Sequence, residues 1–253
     1  MTRIIAVASG KGGVGKTTLV SNLSSALAGF NRSVIAVDGN TTTPNLGLHL
    51  GIPLYPKSLQ DVMRGRAGIR EAIHYHSDGF RVIPADMSVN NIMTLQSHML
   101  IDALYKLLGE SDFVLIDTAA GLGKEATSAI KAADELLVVT NPDMASLTDA
   151  LKLIKVAEGY ETKLIGVVVN RIRNDDAELG LEEVEGFLGV PVIGTVNEDH
   201  AVRRAAAERS PVVSHSPNSL AAQQFMAIAA GLAGESYRAR IPLMDRLFGW
   251  LRF

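Results

Sequence analysis

Ile4-Ile5-Ala6-Val7-Ala8-Ser9-Gly10-Lys11-Gly12-Gly13-Val14-Gly15-Lys16-Thr17-Thr18 is an apolar run that breaks into glycines and two lysines. Leu19, Leu23, Ala26 and Leu27 follow at helical spacing, so the stretch predicts a buried strand, a tight loop and a helix. Small residues let the loop curl with its N–H groups pointing inward. That makes a concave nest for phosphate oxygens, to which the helix adds its positive amino end. Gly12, Gly13, Val14 and Gly15 would wrap the phosphates. Lys16 would reach the β and γ phosphates, Thr17 would ligate Mg²⁺, and Thr18 would hydrogen-bond the α phosphate. The implied ligand is a nucleoside triphosphate.

Lys11 narrows the class. With its early lysine the loop resembles the deviant P-loop of the MinD/ParA superfamily. The resemblance implies that Lys11 crosses a dimer interface to the partner's nucleotide, so that an ATP-bound homodimer forms when both sites are filled.

The chain has 253 residues, 47% of them apolar, enough for one large core, and no Pro/Ser-rich linker divides it. Without cysteines it has no disulfides and no thiolate ligands for an iron–sulfur cluster, which argues against the cluster-carrying relatives in this superfamily. Met1 to Ala8 feeds the loop rather than forming a signal segment, and no apolar run approaches the roughly 20 residues needed to span a bilayer. A cytoplasmic protein, peripheral on the inner face of the cell membrane, is expected.

Strand-like runs at Ile4–Ala8, Ser33–Val37, Phe80–Ile83, Phe113–Ile116, Glu135–Thr140, Lys163–Val169 and Pro191–Val196 alternate with amphipathic stretches such as Ser97–Leu108, Ala145–Ala157 and Leu181–Leu188. That alternation predicts a doubly wound α/β fold, a mostly parallel sheet with helices on both faces and ligands at the carboxyl ends of the strands.

Two acidic strand ends follow the loop. Val37-Asp38-Gly39-Asn40-Thr41-Thr42-Thr43-Pro44-Asn45-Leu46 resembles the first switch segment of MinD, with Asp38 expected at the metal and in catalysis. That family has a second aspartate two residues on, orienting the attacking water, where this chain has Asn40. An amide can hold water but takes no proton, and loss of a general base costs about 10²–10⁴ in rate. Phosphoryl transfer relies more on positioning and charge than on proton abstraction, so the penalty can be smaller, and slow hydrolysis is expected. Val114-Leu115-Ile116-Asp117-Thr118-Ala119-Ala120-Gly121-Leu122 resembles the second switch. There Asp117 would hold a Mg²⁺-bound water and Gly121 would bring its N–H to the γ-phosphate. Asn170 and Arg171, with Glu198 and Asp199, match the positions at which MinD-like ATPases hold the adenine. Thr140-Asn141-Pro142-Asp143 and Asp149 fall where the family builds its dimer face.

The last core helix is expected from Ser219 to about Leu232. The division expected is an ATPase domain over 1–235 and a linker and tail over 236–253. In the tail Leu243, Met244, Leu247, Phe248, Trp250 and Leu251 occupy one helical arc, and four arginines face one aspartate. A 13-residue helix is only about 20 Å long, suited to lying in a membrane interface. The tail resembles the membrane-targeting tail of MinD and implies reversible docking on anionic lipid, strengthened when a dimer presents two copies. His74 and His76 lack a third metal ligand nearby. Arg203, Arg204 and Arg209 form a small basic cluster on an otherwise acidic domain, which makes nucleic acid a poor partner. The reading is a MinD-like dimerising ATPase of spatial positioning or division-site selection, its protein regulator or cargo unnamed. The alternatives are a ParA-type DNA-binding partition ATPase and a nearly inactive ATP-bound scaffold.

Overall fold

The computed structural model describes residues 1–52, 55–87 and 97–238. Among them β1 (Arg3–Ala8), β2 (Val34–Asp38), β3 (His74–Tyr75), β4 (Arg81–Ile83), β5 (Phe113–Asp117), β6 (Glu135–Thr140), β7 (Lys163–Ile172) and β8 (Val192–Asn197) form one sheet. Its order is β3-β4-β2-β5-β1-β6-β7-β8. Every neighbouring pair is parallel except β3 and β4. The helices are α1 (Lys16–Gly29), α2 (Leu46–His49), α3 (Leu59–Met63), α4 (Ser97–Tyr105), α5 (Lys124–Lys131), α6 (Met144–Ala157), α7 (Leu181–Leu188), α8 (His200–Ala207), α9 (Val212–His215) and α10 (Leu220–Ala233).

Alternation along β1 shows why the sheet is covered on both sides. Ile4, Ala6 and Ala8 pack with Leu104 of α4, Ile130 of α5 and Leu153 of α6. Ile5 and Val7 pack with Leu19 and Leu23 of α1 and Phe225 of α10. Each such large apolar side chain contributes roughly 1.5–3 kcal/mol on burial. β1 lies between β5 and β6, so the loop leaving its carboxyl end opens where the strand order reverses, the usual ligand position in such sheets.

The structure adds to the expected elements. β2 and β5 run on to Asp38 and Asp117, and β7 runs on through Asn170 and Arg171 to Ile172. β4 falls in the expected run Phe80–Ile83, whereas β3, which pairs with it antiparallel at the sheet edge, was not among the expected strands. His74 and His76 are engaged separately: His74 Nε2 lies 3.2 Å from the Lys57 carbonyl, while His76 Nδ1 accepts the Asp78 N–H and its ring stacks on Phe80. α10 starts on Ser219, whose hydroxyl accepts the Ala222 N–H, and stops at Gly234 in the left-handed conformation. Glu235 then pairs with Arg32 at 2.6 Å, and Tyr237 meets Phe30 edge-on. The proposed membrane face, from Leu243 to Leu251, lies outside the described residues. No helix among the described residues is long and apolar enough to cross a membrane.

Candidate functional site

Two close approaches dictate the glycines of the loop between β1 and α1. A Cβ on Gly10 would lie 2.1 Å from the backbone of Asp149 in α6. Gly15 has φ 103°, and a Cβ there would lie 2.2 Å from Asn170 Nδ2. That amide donates to the Val14 carbonyl at 2.7 Å, buckling the loop to β7. The Lys16 side chain is buried and its ammonium donates to Ser9 Oγ at 2.9 Å, while Ser9 Oγ donates to the Lys11 carbonyl. Burial pulls the Lys16 pKa down, and the charge of Asp117 opposes that shift.

Asp38 and Asp117 stand side by side in register at the ends of β2 and β5, both buried. Burial raises the Asp38 pKa well above the ordinary carboxylate value, and the neighbouring charge of Asp117 raises it further. Burial likewise lifts Asp117 to about 6, against the Thr17 hydrogen bond and the Lys16 charge. Thr17 Oγ1 donates to Asp117 Oδ2 at 2.6 Å, whereas Asp117 Oδ1 is buried with no hydrogen-bond partner among the described residues. A buried, acceptor-only oxygen beside a threonine hydroxyl and a nest of phosphate-binding N–H groups is a donor set that fits a hydrated Mg²⁺.

Asp38, expected at the metal, is bonded to the backbone of the segment that follows it. Its Oδ1 accepts the Asn40 N–H at 3.2 Å, and its Oδ2 accepts those of Asn45 and Leu46, each at 3.0 Å. Both oxygens are spent on ordering the segment that follows β2. Asn40 is bonded within the same segment. Its Nδ2 donates to the Thr43 carbonyl at 2.7 Å, and its Oδ1 accepts the Thr43 N–H at 3.1 Å. The amide closes its own loop. Gly121, at φ 82°, donates its N–H to the Ser9 carbonyl at 2.9 Å, docking the segment after β5 on the phosphate loop.

A cavity of about 600 Å³ is lined by Gly12, Gly13 and Gly15 to Thr18 of the loop, by Asn40, Thr43 and Asn45, and by Ala120, His49 and Arg209. A second, of about 250 Å³, is lined by Asn170, Val196, Glu198, Asp199 and Phe225. Gly15, Thr18 and Arg171 border both. Arg171 takes a left-handed φ of 60° at the β-bulge between Asn170 and Ile172, placing it where the two spaces meet. Inside the smaller space, Glu198 is ion-paired to Arg173 and Asp199 caps α8 by accepting the Ala201 N–H at 2.8 Å. Both acids bordering that space therefore have structural partners. Lys11 Nζ lies 3.5 Å from Asp143 Oδ1, and Asp143 in turn caps α6 through the Ser146 N–H.

Sequence reasoning missed Ser9, the partner of the Lys16 ammonium, and Glu125, which accepts three hydrogen bonds from Thr41 and Thr42. An acid in the first turn of α5 is a visible signal, but it reads equally as a dipole partner for the helix.

A glycine nest, a buried lysine and a hydroxyl–carboxylate pair at the carboxyl ends of a parallel sheet define a P-loop nucleoside triphosphatase. The family model ParA, described as NUBPL iron-transfer P-loop NTPase, matches residues 1–233. An uncharacterized ATP-binding protein of Methanocaldococcus jannaschii is 43% identical over 248 residues, covering 98% of this chain and 94% of that protein. The septum site-determining protein MinD of Synechocystis is 31% identical, covering 97% and 93%. The Mg-ADP complex of MinD from Pyrococcus horikoshii superposes with a TM-score of 0.88 at 35% identity, covering 92% of this chain and 96% of that one. The chain belongs to the MinD/ParA family of P-loop ATPases.

Proposed function

We propose that this protein is a MinD-like positioning ATPase that dimerises on ATP, hydrolyses it slowly and docks reversibly on anionic membrane through residues 236–253. The observation that carries the ATPase reading is that the glycine nest, the buried Lys16 and Thr17 line one cavity, with Asp117 buried behind Thr17 and bonded to its hydroxyl at 2.6 Å. The triphosphate would lie along Gly12 to Thr18, with Lys16 on its β and γ phosphates and the base beside Asn170 and Arg171. Thr17 and Asp117 would hold Mg²⁺, which when bound supplies charge neutralisation to the phosphates.

Lys11 is the dimer element. In the single chain its ammonium rests on Asp143, an exposed pair of small energetic weight that a partner's phosphate would easily outbid. Lys11→Ala should abolish ATP-dependent dimers, read by light scattering, while leaving ADP binding intact. A second reading, the nearly inactive scaffold, is favoured by one observation: both polar atoms of the Asn40 amide are consumed within their own loop.

The membrane element is tested by sedimenting the full chain and a 1–240 truncation with anionic liposomes, in ADP and in a non-hydrolysable ATP analogue. Pelleting that requires the ATP analogue and is lost on truncation supports the membrane switch. ATP-dependent, salt-sensitive DNA retention that survives removal of residues 241–253 would replace it with the partition reading.

A further inference from the structure

The loop after β2 is held from two directions. At its base Asp38 accepts three backbone N–H groups from Asn40, Asn45 and Leu46. At its crest the Glu125 carboxylate takes hydrogen bonds from Thr41 Oγ1 at 2.6 Å, Thr42 N–H at 2.9 Å and Thr42 Oγ1 at 2.8 Å. Glu125 lies in the first turn of α5, four residues after Gly121, which is itself docked on the Ser9 carbonyl of the phosphate loop. An acid that merely complements a helix dipole has no need of three convergent donors. Charge-assisted bonds to one carboxylate are a stiff link between the elements that supply them.

We propose that Glu125 is a positioning residue, a clip that makes the segment after β2 and the segment after β5 respond to the γ-phosphate as one body. The proposal rests on the ATPase reading above. One segment carries Asn40 and the other carries Gly121, so a shift at either is passed to the other through Thr41, Thr42 and Glu125. The clip touches neither the glycine nest nor the base cavity, so it bears on the third phosphate and leaves ADP binding alone.

The test compares full-length wild type with Glu125→Ala, Glu125→Gln and the double variant Thr41→Val/Thr42→Val. The readouts are affinity for ADP, affinity for a non-hydrolysable ATP analogue, and ATP turnover. Glu125→Ala should lower the preference for the ATP analogue over ADP, and kcat, each by roughly tenfold, the loss that goes with removing hydrogen bonds to a charged group. ADP affinity should not move. Glu125→Gln should stay near wild type, because its amide oxygen can accept from Thr41 Oγ1 and Thr42 N–H while its NH₂ donates to Thr42 Oγ1. The threonine double variant, which keeps only the backbone N–H bond of residue 42, should shift the same two readouts in the same direction by a smaller factor, and adding it to Glu125→Ala should add little further loss. If Glu125→Ala misfolds, the threonine pair, of which Thr42 is exposed and Thr41 half-buried, carries the test. Equal losses of ADP and analogue affinity, or no loss in a working ATPase, would overturn the clip. A wild type that neither binds nor turns over ATP would instead overturn the ATPase reading on which it rests.

Discussion

The phosphate loop and the segment after β2 face the same cavity but are held in opposite ways. The loop is shaped by what its residues lack: Gly10 and Gly15 admit the backbone of Asp149 and the amide of Asn170 at distances that no Cβ would allow. The segment after β2 is shaped by what its residues have, a set of side-chain hydrogen bonds through Asp38, Asn40, Thr41, Thr42 and Glu125. Steric necessity leaves the first little freedom. The second is a network of exchangeable bonds, and such a network is what a two-state element requires.

The largest effects should come from the cradle. Lys16→Ala removes the buried ammonium and should reduce ATP turnover by at least about 10²–10³, the cost of losing one preorganised charge-stabilising donor, measured by phosphate release. Gly15→Ala should be as damaging, through a different cause. At φ 103° with a 2.2 Å clash the loop must move, so thermal stability should drop together with nucleotide affinity. A Gly15→Ala protein with wild-type affinity would break the steric half of the comparison.

A smaller effect, of opposite sign, is expected at the buried acids. The Asp117 pKa is raised from its ordinary value to about 6, chiefly by burial. The unfolded chain therefore releases this proton first as pH rises. The contribution to stability is fully present below about pH 4, is lost between about pH 4 and 6, and stays lost above. Asp117→Asn should raise the melting temperature of the nucleotide-free protein at pH 7 by about 4–8 °C, on the order of 2 kcal/mol. It should also remove that part of the pH slope and abolish Mg²⁺-dependent turnover. Calorimetry across pH 4 to 7 checks the sign, and a destabilised variant at pH 7 would count against the charge argument.

The cradle was legible in the sequence because its information is local. An apolar run, closely spaced glycines, a lysine, two threonines and a helical apolar period lie within about two dozen residues, and each constrains the next. The succession of strand-like and amphipathic runs likewise announced a sheet with helices on both faces, as the packing on the two sides of β1 shows. The wiring of the segment after β2 was not legible. Thr41 and Glu125 are 84 residues apart, and Asn170 and Val14 are 156 apart, so their meeting depends on strand order. Asp38 and Asn40 were placed in the correct loop, but their partners are backbone groups of that loop, whose turn the residues Thr-Thr-Thr-Pro do not announce. The bulge that gives Arg171 a positive φ likewise has no glycine to mark it.

The measurement that bears most directly on slow turnover by a latched segment is steady-state phosphate release by wild type and Asn40→Asp under saturating Mg-ATP. A carboxylate at position 40 cannot donate to the Thr43 carbonyl, so that bond of the closure is lost while the Thr43 N–H can still be accepted, and a water-orienting acid returns. The account predicts slow release by wild type and a rise of at least about tenfold in Asn40→Asp, with KM little changed. Equal turnover in the two proteins would contradict it.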